Sequence, residues 1–244
     1  MSKHADFIRS KPFERHFVTF SSAWLQIYKV FEDFLEMTLL SFCNTNPMKD
    51  WKREAREKRY LDIIWKYKPE LQKLFPEMFA DLINLMEDWD EPDVLWEFFM
   101  NHITFGENWQ FFTPTHLCDM MASMTLWANT KPWQSVYDPA CWSGRTLLSA
   151  LKLQPKIIVT ACDLDRRCTK MAAINLFLRG ATGRAICMNS LSLEIYWGYE
   201  FRIWWWSVPQ IFELEKDDIT FTETQKEQIK QATEEKKIGG LFDF

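Results

Sequence analysis

The stretch Val136-Tyr137-Asp138-Pro139-Ala140-Cys141-Trp142-Ser143-Gly144-Arg145 decides the fold. It reads as a short buried strand that ends in an acid and a tight turn, after which Thr146-Leu147-Leu148-Ser149-Ala150-Leu151 opens a helix. In open α/β sheets a ligand lies outside the carboxyl ends of the strands, where a turn and a helix N-terminus offer backbone amides. The pattern therefore predicts the start of a nucleotide-cofactor site.

The next two units repeat the arrangement. Lys156-Ile157-Ile158-Val159-Thr160-Ala161-Cys162 is an apolar run closed by Asp163-Leu164-Asp165, which puts a carboxylate about 20 residues past the turn, where it can accept from both ribose hydroxyls. Arg184-Ala185-Ile186-Cys187-Met188 is a third run and ends in Asn189-Ser190. Three polar strand tips then face one cleft.

These residues resemble the S-adenosylmethionine-dependent adenine methylases of DNA, in particular the modification subunits of type I restriction systems. Gln110-Phe111-Phe112-Thr113-Pro114 is similar to that family's cofactor-contacting segment, and Asp138-Pro139-Ala140-Cys141-x-Ser143-Gly144 to its main cofactor loop. Asp163 and the following Leu164 match the ribose-binding acid and its neighbour, Met171-Ala172-Ala173-Ile174-Asn175-Leu176 the helix after it, and Asn189-Ser190-Leu191 the adenine-side turn. The resemblance covers roughly residues 92 to 210 and implies a Rossmann-like α/β methyltransferase sheet, here incomplete, behind an N-terminal helical domain. S-adenosylmethionine is the implied cofactor, held by Phe112, Thr113, Pro114, Asp138, Pro139, Ala140, Cys141, Ser143, Gly144, Asp163, Leu164, Asn189 and Ser190. No metal is implied.

The family's catalytic tetrapeptide, a polar residue, two prolines and an aromatic, belongs at the tip of the fourth strand. Phe201-Arg202-Ile203-Trp204-Trp205-Trp206 reads as that strand, and Ser207-Val208-Pro209-Gln210 stands where the tetrapeptide is due. Ser207 and Pro209 are the catalytic candidates, nearest the transferred methyl. The aromatic that would stack a flipped base is replaced by Gln210. Only 34 residues follow, too few for the remaining strands and a target-recognition domain.

Where the family has glycine, this chain has Trp96, Trp109 and Trp142. Glycine at such turns lets the backbone approach the cofactor, whereas an indole at 142 would fill the methionine or ribose pocket. The chain has 13 Trp and 7 Gly, together about 8% of it, near the ordinary glycine share of about 7%. One explanation is that several tryptophans are glycine codons read through the wrong genetic code, for instance UGA. The rival is a tryptophan-rich, degenerate methylase.

At 244 residues and 47% hydrophobic content the chain can hold a substantial core in one large or two smaller domains. The longest apolar candidate, Phe17 to Phe42, contains Lys29, Glu32, Asp33 and Glu36, so no membrane segment is expected, and no signal peptide is read at the start. The six cysteines form no Cys-x-x-Cys pair, which fits a reduced cytoplasmic protein without a zinc site. A net charge of −5 argues against bulk electrostatic DNA binding but leaves local DNA contacts, or DNA reading by a partner specificity subunit, open.

The expected domains are residues 1–91 (helical), 92–217 (methyltransferase) and 218–244, a polar helix with an apolar tail. Residues 1 to 12 read as a loose tail, Phe17 to Phe42 as one helix, and Lys49 to Tyr67 as a second. The basic residues of this second helix alternate with Glu54 and Glu57, so a solvated, internally paired face competes with a nucleic-acid patch. A helix capped by Asp93 and another from Thr115 follow. The Leu241-Phe244 tail either packs on the helical domain or, through its Leu-Phe pair, docks on a bacterial sliding clamp. The functional expectation is an adenine-N6 DNA methyltransferase. Its rivals are a catalytically inactive methylase-fold binding or regulatory module and a small-molecule or protein methyltransferase.

Overall fold

A computed structural model describes residues 11–44, 52–87, 93–103, 113–126, 130–203, 209–221 and 227. The contacts divide the chain into two compact units, Met1–Cys118 and Asp119–Phe244.

The first unit is helical: α1 (Lys11–Ser22), α2 (Ile27–Asn44), α3 (Arg53–Ile64), α4 (Pro69–Gln72), α5 (Leu74–Met86) and α6 (Val94–His102). Its core is aromatic. Phe13, Phe20, Phe31, Phe34, Phe98 and Phe99 are essentially inaccessible, and burial of each ring contributes roughly 2–3 kcal/mol. The apolar rhythm from Phe17 to Phe42 is not one helix, because the chain turns at residues 23–26. The turn lets the Phe13 ring lie 5.4 Å from that of Phe34, a pair that a straight helix would hold about 30 Å apart. Of the N-terminal stretch read as a tail, residues 1–10 lie outside the described residues, while Lys11 and Pro12 already belong to α1, whose Phe13 is fully buried.

The helical unit runs past residue 91. Phe98 of α6 packs on Phe17 at 4.0 Å and edge-on to Phe13 at 5.6 Å, so α6 belongs with α1 and α2. Its N-cap is as expected, with Asp93 Oδ1 accepting from the Trp96 N–H at 3.1 Å. On α3 two of the basic residues find partners on α2. Arg56, 3% exposed, donates through Nε to Asn44 Oδ1 at 2.9 Å, and Arg59 pairs with Glu36.

The division between the units falls inside α7 (Thr115–Thr125). The second unit then alternates β1 (Ser135–Asp138), α8 (Arg145–Leu153), β2 (Ile158–Asp163), α9 (Arg166–Leu178) and β3 (Thr182–Asn189), followed by β4 (Glu194–Arg202) and β5 (Gln210–Glu215). The sheet order is β1-β2-β3-β4-β5. The first three strands are parallel, in register Asp138↔Ala161 and Asp163↔Cys187. Helical crossovers between them are what parallel pairing requires. Asp138, Asp163 and Asn189 therefore end on the same edge of the sheet, as expected.

The fourth strand departs from the expectation. β4 covers Glu194–Arg202, which shares only Phe201 and Arg202 with the expected strand, whose residues 204–206 lie outside the described residues, and it runs antiparallel to β3 with Phe201 opposite Gly183. Only residues 190–193 separate β3 from β4. A parallel neighbour needs a connection of roughly a dozen residues or more, so four permit only a hairpin. β5 returns antiparallel, with Gln210 opposite Arg202. This is a mixed α/β sheet, three parallel strands with a two-stranded antiparallel extension on the β3 side. The expected helix from Asp218 to Lys237 and the Leu241-Phe244 tail lie almost wholly outside the described residues, which reach a 3-10 turn at Lys216–Asp218.

Candidate functional site

The site is built on the tips of β1, β2 and β3. β1 ends at Asp138, whose Oδ1 accepts from the Ala140 N–H at 3.1 Å and so bends the chain into the Pro139-Ala140 turn. The Cys141 N–H then donates to the Cys162 carbonyl at 2.9 Å, which extends the β1–β2 pairing into the loop. The Trp142 N–H donates to Asp163 Oδ2 at 2.9 Å, and the Asp165 N–H to Asp163 Oδ1, also at 2.9 Å. One carboxylate thus fastens the loop after β1 to the turn after β2. The Gly144 N–H closes the loop on the Cys141 carbonyl at 2.7 Å, with Gly144 at φ 86°. The third tip joins through Ser190, whose Oγ donates to the Pro139 carbonyl at 2.7 Å.

Of the expected site residues, Asp138, Pro139, Ala140, Cys141, Ser143, Gly144, Asp163, Leu164, Asn189 and Ser190 occupy this one edge. Asn189 Oδ1 accepts from the Leu191 and Ser192 N–H groups at 3.0 and 3.2 Å, so it also shapes its own turn. Leu164 and Leu191 stand 58% and 63% exposed, leaving apolar surface at the β2 and β3 tips. Thr113 and Pro114 precede α7 in the first unit, where the Thr113 carbonyl receives the Cys118 thiol at 3.8 Å. Phe112 lies outside the described residues.

Of the two catalytic candidates, Pro209 does not join the site. Pro209 adjoins Gln210, which pairs with Arg202 next to the Phe201–Gly183 pair at the start of β3. Gly183 and Asn189 are the two ends of one strand, so Pro209 lies at the opposite edge of the sheet, on the order of 20 Å from the tips. The antiparallel course of β4 removes it from any transferred methyl. Ser207 lies outside the described residues.

Two supports escaped the sequence reading. Asn175, 1% exposed on α9, donates through Nδ2 to the Ser143 carbonyl at 3.0 Å and pins the back of the loop. Its signal was present, a lone amide inside the apolar run Met171-Ala172-Ala173-Ile174-Asn175-Leu176. Asp165 caps α9, accepting from the Arg167 N–H at 2.7 Å and pairing with its guanidinium at 2.7 Å.

Burial raises Asp163 above the usual carboxylate range. The Asp165 and Trp142 N–H bonds pull the other way, and the neighbouring Asp165 and Asp138 charges add to the rise. The folded state therefore holds this proton more tightly than the unfolded one. Its stabilising effect grows as pH falls through the folded pKa.

Cys141 is no nucleophile: burial first, then the Asp163 and Asp138 charges, push its thiol well above its ordinary value. Nucleophilic attack needs thiolate. All six cysteines are buried thiols outside any disulfide. The folded protein should show no reaction with an aromatic disulfide reagent at pH 7.5, and all six should react in guanidinium. A fast-reacting thiol in the folded protein would show that the loop is more open than described.

Of the three tryptophans at family glycine positions, Trp142 holds a left-handed backbone, φ 53°. Trp96 lies within α6, buried and stacked on Phe99 at 5.9 Å, so its backbone makes no demand for glycine. Trp109 lies outside the described residues. The described residues contain no cluster of His, Cys, Asp and Glu able to hold a metal ion, and no helix among them is long and apolar enough to cross a membrane.

The donor set at the strand tips fits the nucleoside half of S-adenosylmethionine. Asp163 offers carboxylate lone pairs beyond the two backbone bonds, and Leu164 and Leu191 offer apolar flanks. Trp142 stands in the loop beside them, at φ 53°, with its own N–H donated to Asp163.

No curated protein sequence matches the chain. A solved structure described as a class I S-adenosylmethionine-dependent methyltransferase from Listeria monocytogenes is 15% identical, with a TM-score of 0.38, over 64% of this chain and 52% of that one. The chain thus spans about half the length of that protein. The family model described as N-6 DNA Methylase matches residues 92–194, which bears out over that span the resemblance to such methylases and implies S-adenosylmethionine as the cofactor.

Proposed function

We propose that the chain is an S-adenosylmethionine-dependent DNA methyltransferase of the adenine-N6 type, with its donor site at the tips of β1, β2 and β3. The observation that carries this reading is the double fastening of Asp163, whose two oxygens hold the loop after β1 and the turn after β2 in one place. Its remaining lone pairs accept the ribose hydroxyls, Leu164 and Leu191 flank the adenine, and the loop of Ala140, Cys141, Ser143 and Gly144 passes the methionine portion. The bound donor supplies an electrophilic methyl group. The chain's own residues orient it and exclude water from one side.

A second reading, a methylase-fold module that binds the donor and acts with a partner, is favoured by the position of Pro209 and by the family match ending at 194. A specificity subunit or another chain would then complete the catalytic tip and read the DNA. The experiment is paired: donor binding by calorimetry, and transfer of labelled methyl to adenine in duplex DNA. Both positive support the enzyme; binding without transfer supports the module; absence of both for a chain carrying glycine at 142 removes the donor-site reading.

Because the ribose bonds need an ionised carboxylate, donor affinity should fall on acidification at a pH above the roughly 3.9 of a free aspartate. The direction follows from the raised pKa of Asp163. Affinity that is flat down to that value would show that Asp163 does not accept from the donor.

A further inference from the structure

Among the described residues, four that are not glycine hold a positive φ: Trp24 at 63°, Trp133 at 71°, Trp142 at 53° and Leu193 at 61°. Three of the four are tryptophan, although only 13 of the 244 residues are. The left-handed region crowds the Cβ of every L-residue, and a bulky side chain gains nothing there. Each of the three sits in a local motif that calls for glycine by a different rule.

Trp24 follows α1. The Leu25 N–H donates to the Phe20 carbonyl at 3.2 Å and the Trp24 N–H to the Ser21 carbonyl at 3.0 Å, the paired bonds of a Schellman ending whose left-handed residue is usually glycine. Its side chain is 95% exposed, so no packing offsets the backbone strain. Trp133 is third in Lys131-Pro132-Trp133-Gln134, closed by the Gln134 N–H on the Lys131 carbonyl at 3.3 Å. Proline second and a positive φ third make a type II turn, which takes glycine or asparagine at that place. Trp142 is second in Cys141-Trp142-Ser143-Gly144, closed by the Gly144 N–H at 2.7 Å. A positive φ there, and not at Ser143, is the pattern of a type II′ turn, with glycine first of the two central residues. The other described tryptophans behave ordinarily: Trp65 has φ −75°, Trp96 is helical and Trp197 lies in β4.

We infer that positions 24, 133 and 142 are glycine in the protein as its own cell makes it, encoded by UGA, and that residue 142 thereby decides whether the donor site is open. UGA is a stop in the standard code and can be reassigned to either amino acid, so one decoding difference accounts for all three positions. Glycine at 142 keeps the N–H bond to Asp163 and removes the indole from the path of the donor's methionine portion. This last step rests on the donor-site reading; the glycine assignment does not.

The test has three arms. Sequencing the gene and the corresponding tryptic peptides of protein from the native cell should give UGA codons and glycine at all three positions; UGG codons, or tryptophan in those peptides, overturn the assignment. In recombinant protein, Trp24→Gly and Trp133→Gly should each melt roughly 3 °C above Trp24→Ala and Trp133→Ala, because alanine keeps the left-handed strain and glycine does not. Trp65→Gly should melt below Trp65→Ala. Glycine variants no better than alanine at 24 and 133 also overturn it. Finally, Trp142→Gly should bind S-adenosylmethionine at least tenfold more tightly than the tryptophan protein. If both proteins bind the donor equally, the role of residue 142 is overturned while the donor site and the glycine assignment stand; if neither binds it, the donor site is overturned as well and the glycine assignment still stands.

Discussion

Gly183→Ala should destabilise the second unit by more than about 3 kcal/mol, among the large effects open to a single methyl group. Gly183, at φ 150°, lies opposite Val159 in the parallel pairing of β2 and β3. A Cβ built there would stand 1.9 Å from the Val159 carbonyl oxygen and 2.8 Å from its carbon. Both are backbone atoms in a buried strand, so no side chain can swing away. Relief requires β3 to separate from β2, which breaks ladder hydrogen bonds on which the Asp163 and Asn189 tips depend. Urea unfolding should show a lower midpoint with an unchanged slope. A variant within about 0.5 kcal/mol of the parent would mean that β2 and β3 are not in the described register.

Asp163→Ala should cost at least tenfold in donor affinity, measured in the Trp142→Gly background where the site is open. Two ribose bonds to a charged acceptor are worth roughly 1.5–3 kcal/mol each. The same substitution also strands the Trp142 and Asp165 N–H groups that donate to Asp163 at 2.9 Å, so a drop in stability is expected as well. Asp163→Asn separates the two effects. Its carbonyl oxygen can still accept one of those backbone bonds and its volume is unchanged, so it should retain more stability than alanine while losing most of the donor affinity. Unchanged donor affinity in both variants would move the ribose site to another strand tip.

The amino-acid sequence by itself determined the local features of this protein. Short apolar runs closed by Asp138, Asp163 and Asn189, each with a helix or turn after it, place three polar tips on one sheet edge, because a parallel strand must return through a crossover before the next can start. The cap at Asp93 and the loop glycine at 144 are equally local, fixed by a few adjacent backbone groups. The tertiary structure decided what periodicity does not carry. Alternation of apolar residues marks a strand but has no direction, so Phe201 was legible as strand while its antiparallel course, and with it the removal of Pro209 from the site, followed from hairpin pairing across the four residues between β3 and β4. A helical rhythm likewise has no memory of a turn that keeps both halves apolar, which hid the break after Ser22 until Phe13 was seen against Phe34. The left-handed backbone at Trp24, Trp133 and Trp142 was also beyond the sequence, since φ is set by where the hydrogen bonds of each turn must close and not by the residue that occupies it.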